Sequence, residues 1–247
     1  MSRETEQGES AGPSGVVHHG GTERREFLQR MSGAAAALAV APLVRDAFAG
    51  VGSAPMSRST LSIPQPRAPW NDAWLEKLTG KHKQFFDTLQ PNDGFSLAFA
   101  MYFLELNHDV YGLPDSQITA VVGLRHFAMP MALPDALWER YRIGENMQIS
   151  DRTTGGPATR NPFLHRDGVP TPGADITTLM QRGVLFTVCN VALTALSARM
   201  ASNAGVSADA AKAEWTKSIV PGMFLVPVGV MAVNLAQERG CTYCYGG

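Results

Sequence analysis

From residue 70 onward, apolar residues gather in short runs separated by turn-forming residues. "KHKQFFDTL" predicts a strand around Lys83–Asp87, closed by the turn signal "QPNDG". "FSLAFAMYFLELNHDVYG" is apolar over most of its surface, which predicts a well-buried helix ending near Asn107–Gly112. Ile118–Leu124 is a β-branched run of strand length. Pro134 and Asp135 open an amphipathic helix carrying Leu137, Trp138 and Tyr141. Residues 150–173 have no hydrophobic period and many breakers, so they read as a long loop. The last third is the most regular. "DITTLMQRG" is a short helix stopped by Gly183, "VLFTV" is a strand, and Asn190 can cap the helix that follows. Ser207 opens a further helix, "MFLVPV" is a strand, "GVMAVNLAQERG" is a helix ending at Gly240, and "CTYCY" is a short edge strand. Near-continuously apolar strands alternating with helices imply a parallel sheet covered on both faces. The expected class is α/β: a three-layer, flavodoxin-like domain with a mostly parallel sheet of about five strands.

The N-terminal side carries no such rhythm. "WNDAWLEKL" reads as a short helix starting at Asn71 or Asp72, at the head of a domain spanning 70–247. Residues 50–69 are rich in Ser, Pro and Gly and read as a flexible linker. Within 1–49, Arg24 and Arg25 precede Phe27 and Leu28, and Met31–Val44 is a weakly apolar, small-residue stretch. That stretch falls short of the ~20 residues of a membrane-spanning helix. Ala47-Phe48-Ala49 then forms an A-x-A site. The order resembles a twin-arginine signal peptide, with Glu23 where Ser or Thr is usual and Gln29 where Lys is usual. The resemblance implies cleavage after Ala49, passage through the twin-arginine (Tat) translocase as a folded protein, and a periplasmic or other extracytoplasmic location.

Charge excludes some partners. The chain holds 21 Lys and Arg against 22 Asp and Glu, which gives no electrostatic basis for binding nucleic acid or an anionic membrane surface. "GMFLVPVGVMAVNLA" contains Pro227, Gly229 and Asn234 and reads as a buried strand and helix rather than a span. The three cysteines, Cys189, Cys241 and Cys244, are odd in number, so at least one is free, ligated or paired with another molecule. "CTYC" on an extended strand would point its sulfurs to opposite faces, which suits neither redox nor metal chemistry. A turn there would instead allow a Cys241–Cys244 disulfide. No matched set of four metal ligands stands out. Nor does a phosphate-binding loop, a Ser-His-Asp arrangement or an H-E-x-x-H helix, and no motif names a cofactor.

In open parallel α/β sheets, ligands bind outside the carboxyl ends of the strands. That rule selects Asp87, then Arg125 and His126, then Cys189 and Asn190, then Val228 and Gly229. Cys189 precedes a predicted helix N-terminus, where unpaired N–H groups favour a thiolate, and a neighbouring Arg125 or protonated His126 would strengthen the effect. Cys189, His126 and Arg125 are therefore the candidate catalytic set, with Asn190, Asp87 and Gly229 as candidate ligand contacts. The competing reading makes Cys189 a small buried core residue and His126 a structural histidine. The 150–173 loop holds Arg160 and Asn161, which suit either a lid over an anionic ligand or a segment packed against a neighbouring subunit.

The C-terminal third also resembles the DsrE/DsrF-like (YchN-like) sulfur-relay family. The resemblance rests on Val188-Cys189-Asn190, on Val226-Pro227-Val228-Gly229-Val230, and on Gln237-Glu238-Arg239-Gly240 followed by a short final strand. It covers about 65 residues; the long loop and the leader depart from the family pattern. It implies a doubly wound domain, assembly into homo-oligomers, a sulfur-carrier or redox protein as partner, and a persulfide carried on the cysteine matched by Cys189. A module that binds a small ligand, cofactor or partner protein on the same rim, without catalysis, is the alternative.

Overall fold

Each predicted strand forms in the computed structural model, which describes residues 70–247. The export-signal, cleavage and linker readings, including Arg24, Arg25 and Ala49, lie outside the described residues. The domain runs β1 (His82–Thr88), α1 (Phe95–Tyr111), β2 (Ile118–Leu124), α2 (Asp135–Arg140), α3 (Ile143–Met147), α4 (Ile176–Gln181), β3 (Leu185–Cys189), α5 (Asn190–Met200), α6 (Ala208–Lys217), β4 (Phe224–Val226), α7 (Gly229–Glu238) and β5 (Thr242–Tyr245). A 3-10 helix over Leu75–Lys77 stands where the first short helix was expected, and another fills His126–Ala132 after β2.

The five strands form one sheet in the order β4-β3-β2-β1-β5, parallel throughout. Side chains alternate between its faces as strand geometry requires. Phe86, Val122, Phe186 and Val188 join the larger core cluster with Leu97 and Leu104 of α1, Leu193 of α5 and Trp215 of α6. Phe85, Val121 and Val226 join a smaller cluster with Ala232 and Ala236 of α7 and with Trp74. Helices thus flank the sheet, α7 on the face opposite α1 and α5. The strand order is not the 2-1-3-4-5 of the flavodoxin arrangement. The chain steps from β1 to β4 in one direction, and α7 then carries it back to β5, beside β1. Right-handed crossovers make that reversal a change of face. The connections leaving β3 and β4 diverge to opposite faces, which opens a crevice between their carboxyl ends.

One further expectation fails. Helix α1 is buried on one side only, through Leu97, Ala100, Met101 and Leu104. Its other side shows Phe95, Phe99, Tyr102, Leu106 and Val110 at 40–66% exposure, because the sheet covers a single face. The 150–173 segment is irregular, as expected, and it folds partly into the body: Asn161, Phe163, Leu164 and Val169 are buried, while residues 152–155 are exposed. Among the described residues, no helix is long and apolar enough to cross a membrane.

Candidate functional site

Cys189 is the last residue of β3 and the N-cap of α5, its Sγ accepting the Ala192 N–H at 3.4 Å. Asn190 was expected to cap this helix and does not. It is the first helical residue, 7% exposed, and its side chain makes no hydrogen bond among the described residues and does not line the crevice. Cys189 is only 4% exposed, and that exposure faces the β3/β4 crevice.

Across from it, Arg125 leaves the end of β2. Its Nε and Nη2 donate to Oδ1 and Oδ2 of Asp87 at 2.6 and 2.8 Å, and Tyr243 of β5 donates its hydroxyl to Oδ2 at 3.0 Å. Asp87 is 2% exposed and does not line the crevice, so it positions Arg125 instead of contacting a ligand. The bonds to Asp87 hold the guanidinium more firmly protonated than usual, against the cost of partial burial, and the Asp87 charge adds to the effect. Gly229, the first residue of α7, belongs here for steric reasons. A Cβ at this position would lie 2.7 Å from both Cβ and Cδ of Arg125, so only glycine lets the arginine stem cross the helix start.

His126 is exposed, its ring set edge-on to Phe127 with centroids 4.4 Å apart. Its φ of 52° is unusual for a residue with a side chain. Among the described residues, five non-glycine residues have positive φ, and four of them, Asn92, Asp93, His126 and Gln148, line the clefts along the carboxyl rim. Backbone strain of this kind concentrates at working sites.

The crevice measures about 380 Å³. Arg125, His126 and Cys189 meet on it, joined by Gly229. Arg160 and Asn161 do not reach it. Arg160 pairs with Asp167 and Asp151. Asn161 spends its side-chain amide on the carbonyls of Met131 and Leu133, and its side-chain oxygen accepts the Phe163 N–H. Of the two readings of this segment, these contacts do not form a lid over the crevice; Asn161 braces the segment against the body.

Arg199 and Tyr243 were missed in the sequence. Val191, Ala195 and Arg199 follow Cys189 at helical i, i+4, i+8 spacing, and all three line the crevice. That spacing was the available signal for Arg199. Tyr243 gave none, since its partner Asp87 lies 156 residues away in sequence.

The other cysteines differ from Cys189. All three are free. Cys241, just before β5, packs in the smaller core cluster and Cys244 of β5 against the larger one, on opposite faces of the sheet. Burial pushes both thiols above their ordinary range, with Lys83 partly offsetting it at Cys241. Among the described residues, no group of three or more His, Cys, Asp or Glu is placed to hold a metal ion. Comparison of the chain with protein-family models, with curated proteins and with solved structures finds no match.

Proposed function

We propose that the β3/β4 crevice is the working site and that Cys189 carries sulfur there. The observation that carries this reading is the Cys189 Sγ, set at the crevice and hydrogen-bonded to the N-terminus of α5, on the rim it shares with Arg125. In the step we infer, the Cys189 thiolate attacks the outer sulfur of a persulfide R–S–SH. The donor S–S bond breaks, R–S⁻ leaves and takes up a proton, and Cys189 becomes the persulfide. One sulfur atom moves and no net oxidation occurs, so no further oxidant is required. Further support comes from the features that resemble the DsrE/DsrF-like family. Cysteine ends β3, Gly229 opens α7 at the crevice, Gly240 follows α7 with φ 84°, and a short strand closes the chain. On this reading the finer fold is a three-layer DsrE-like domain, and the protein is exported by the twin-arginine route to meet a sulfur-carrier or redox partner.

The test is to expose the mature protein to glutathione persulfide and map the adducts by mass spectrometry. The mass of one sulfur should appear on the Cys189 peptide, and persist when Cys241 and Cys244 are both serine. Failure of Cys189 to react unless denaturant is added would sink the sulfur reading. One observation favours a second reading in that event: the cysteine is 4% exposed and the crevice walls are largely apolar, as in a small-ligand pocket.

We also propose that the exposed ridge of α1 pairs with a second copy of this chain. Phe95, Phe99, Tyr102 and Leu106 follow the 4-3-4 spacing of helices that pack on one another. With ~200 Å² to an aromatic side chain, the half-exposed residues offer on the order of 500 Å² of apolar surface. Two copies about a two-fold axis would bury ~1,000 Å², the size at which an interface becomes specific.

A further inference from the structure

The crevice also constrains what enters it. We propose that it takes a small amphiphilic anion, an apolar body bearing a carboxylate or sulfonate, and that Arg199 anchors the charged group. The proposal rests on the crevice being the working site but not on the thiol being reactive.

Volume and walls define the body of the ligand. A cavity of about 380 Å³ lies within the range of small-molecule sites, and its sides are formed by Phe127, Val191, Leu196, Val228 and Val230. So few polar groups suit neither a sugar nor a peptide.

Charge defines the head. Arg125, His126 and Arg199 line the space, and no acidic residue does. The two arginines are not equivalent. Arg125 has Nε and Nη2 committed to Asp87, so its charge is largely compensated and its fork is taken. Arg199 is exposed and forms no ion pair among the described residues. It also lines an adjoining cleft of about 230 Å³, which shares Phe127 and Leu196 with the crevice. Arg199 therefore stands at the junction of the two spaces. At the opposite wall, α7 starts at Gly229 without a side-chain cap. The first N–H groups of a helix have no acceptor within it, which adds to the preference for negative charge.

Two dyes with nearly the same aromatic body test the assignment: anilinonaphthalenesulfonate, which carries a sulfonate, and the neutral phenylnaphthylamine. Each is titrated by fluorescence into the mature protein. The sulfonate should bind about tenfold more tightly, the scale of one charge-assisted contact, and Arg199→Gln should abolish that advantage while leaving the neutral dye unchanged. Arg199 and Ala195 are both exposed on α5, so neither variant disturbs the core. Ala195→Trp, which fills the crevice, should remove both dyes, whereas Tyr102→Glu on the α1 ridge should remove neither. Equal affinities in the wild type, binding of neither dye, sulfonate binding that ignores Arg199→Gln, or binding that survives Ala195→Trp would each overturn the proposal. Cys189→Ser should keep the dye selectivity while losing persulfide uptake, so failure of the anion site and failure of the sulfur reading register separately.

Discussion

Two of the places where the described residues leave large apolar side chains uncovered differ in shape. The β3/β4 crevice is concave, enclosed by two helix starts, and lined by Arg125, His126 and Arg199. The α1 ridge is convex, with aromatic residues in sequence along one side of a helix. A concave surface surrounds a small molecule and buries most of it, so a few polar groups can set orientation. A convex ridge surrounds nothing and is covered only by something as extended as itself. The difference teaches that exposed apolar surface has no single meaning: on the proposed reading, curvature and the cations beside it separate a ligand site from a subunit contact.

The comparison breaks most readily on the ridge. If α1 pairs with its copy, Tyr102→Glu or Leu106→Glu buries an unpaired carboxylate in an apolar contact, at a cost of several kcal/mol. The dimer dissociation constant should rise at least about a hundredfold, which sedimentation velocity resolves, while persulfide uptake at Cys189 stays unchanged. A wild type that remains monomeric at high concentration removes the ridge from the comparison altogether.

The next largest effect lies at the crevice. Arg125→Met leaves Asp87, whose side chain is 3% exposed, without its guanidinium. Breaking a buried pair from one side costs about 3 kcal/mol, taken at the low end because Arg125 is itself 23% exposed. Urea denaturation near neutral pH should show it, together with loss of persulfide uptake. Gly229→Ala acts on the same arginine from below. Its Cβ would lie 2.7 Å from the Arg125 stem, and relieving that overlap should cost about 1–2 kcal/mol. Oligomer size should change in neither variant.

These residues also show how far the sequence could be read. The five strands were legible because each is a short apolar run between turn signals, and Cys189 was legible because it joins such a run to a helical pattern. Strand order was not legible. It depends on pairings such as Gln84↔Thr242, between segments far apart in the chain, and a local pattern carries no record of them. The crevice follows from that order, so Cys189 and Gly229 could be selected while the space between them could not. Arg160 and Asn161 were misread for a related reason. Composition marks 150–173 as irregular, but only the bonds from Asn161 to Met131 and Leu133 reveal an irregular segment folded into the body. Helix α1 failed differently: all-round apolarity implies all-round cover, and the chain itself supplies cover on one side.

Tyr243→Phe is the smallest change that sharpens the comparison. It removes one hydrogen bond to Asp87 and leaves both bonds from Arg125. The ring is 46% exposed, so solvent screening holds the loss below about 1 kcal/mol. The alkaline limb of the stability curve identifies it better. Burial first, then the hydrogen bond to Asp87, raises the Tyr243 pKa in the folded protein above the ordinary 10.0. As pH climbs past ~10, the unfolded chain gives up the phenolic proton while the folded chain still holds it, so unfolding becomes easier. The contribution of Tyr243 is thus fully present below ~10 and is lost as pH rises through the folded value. Wild-type stability should fall more steeply than that of Tyr243→Phe above ~10, and the two curves should converge at higher pH. Parallel curves would mean that the phenol does not hold Asp87, and that Arg125 reaches its place at the crevice by the Asp87 pair and Gly229 alone. No ridge residue of α1 hydrogen-bonds to Tyr243 or Asp87, so oligomer size measured in the same samples should follow the same course in both proteins.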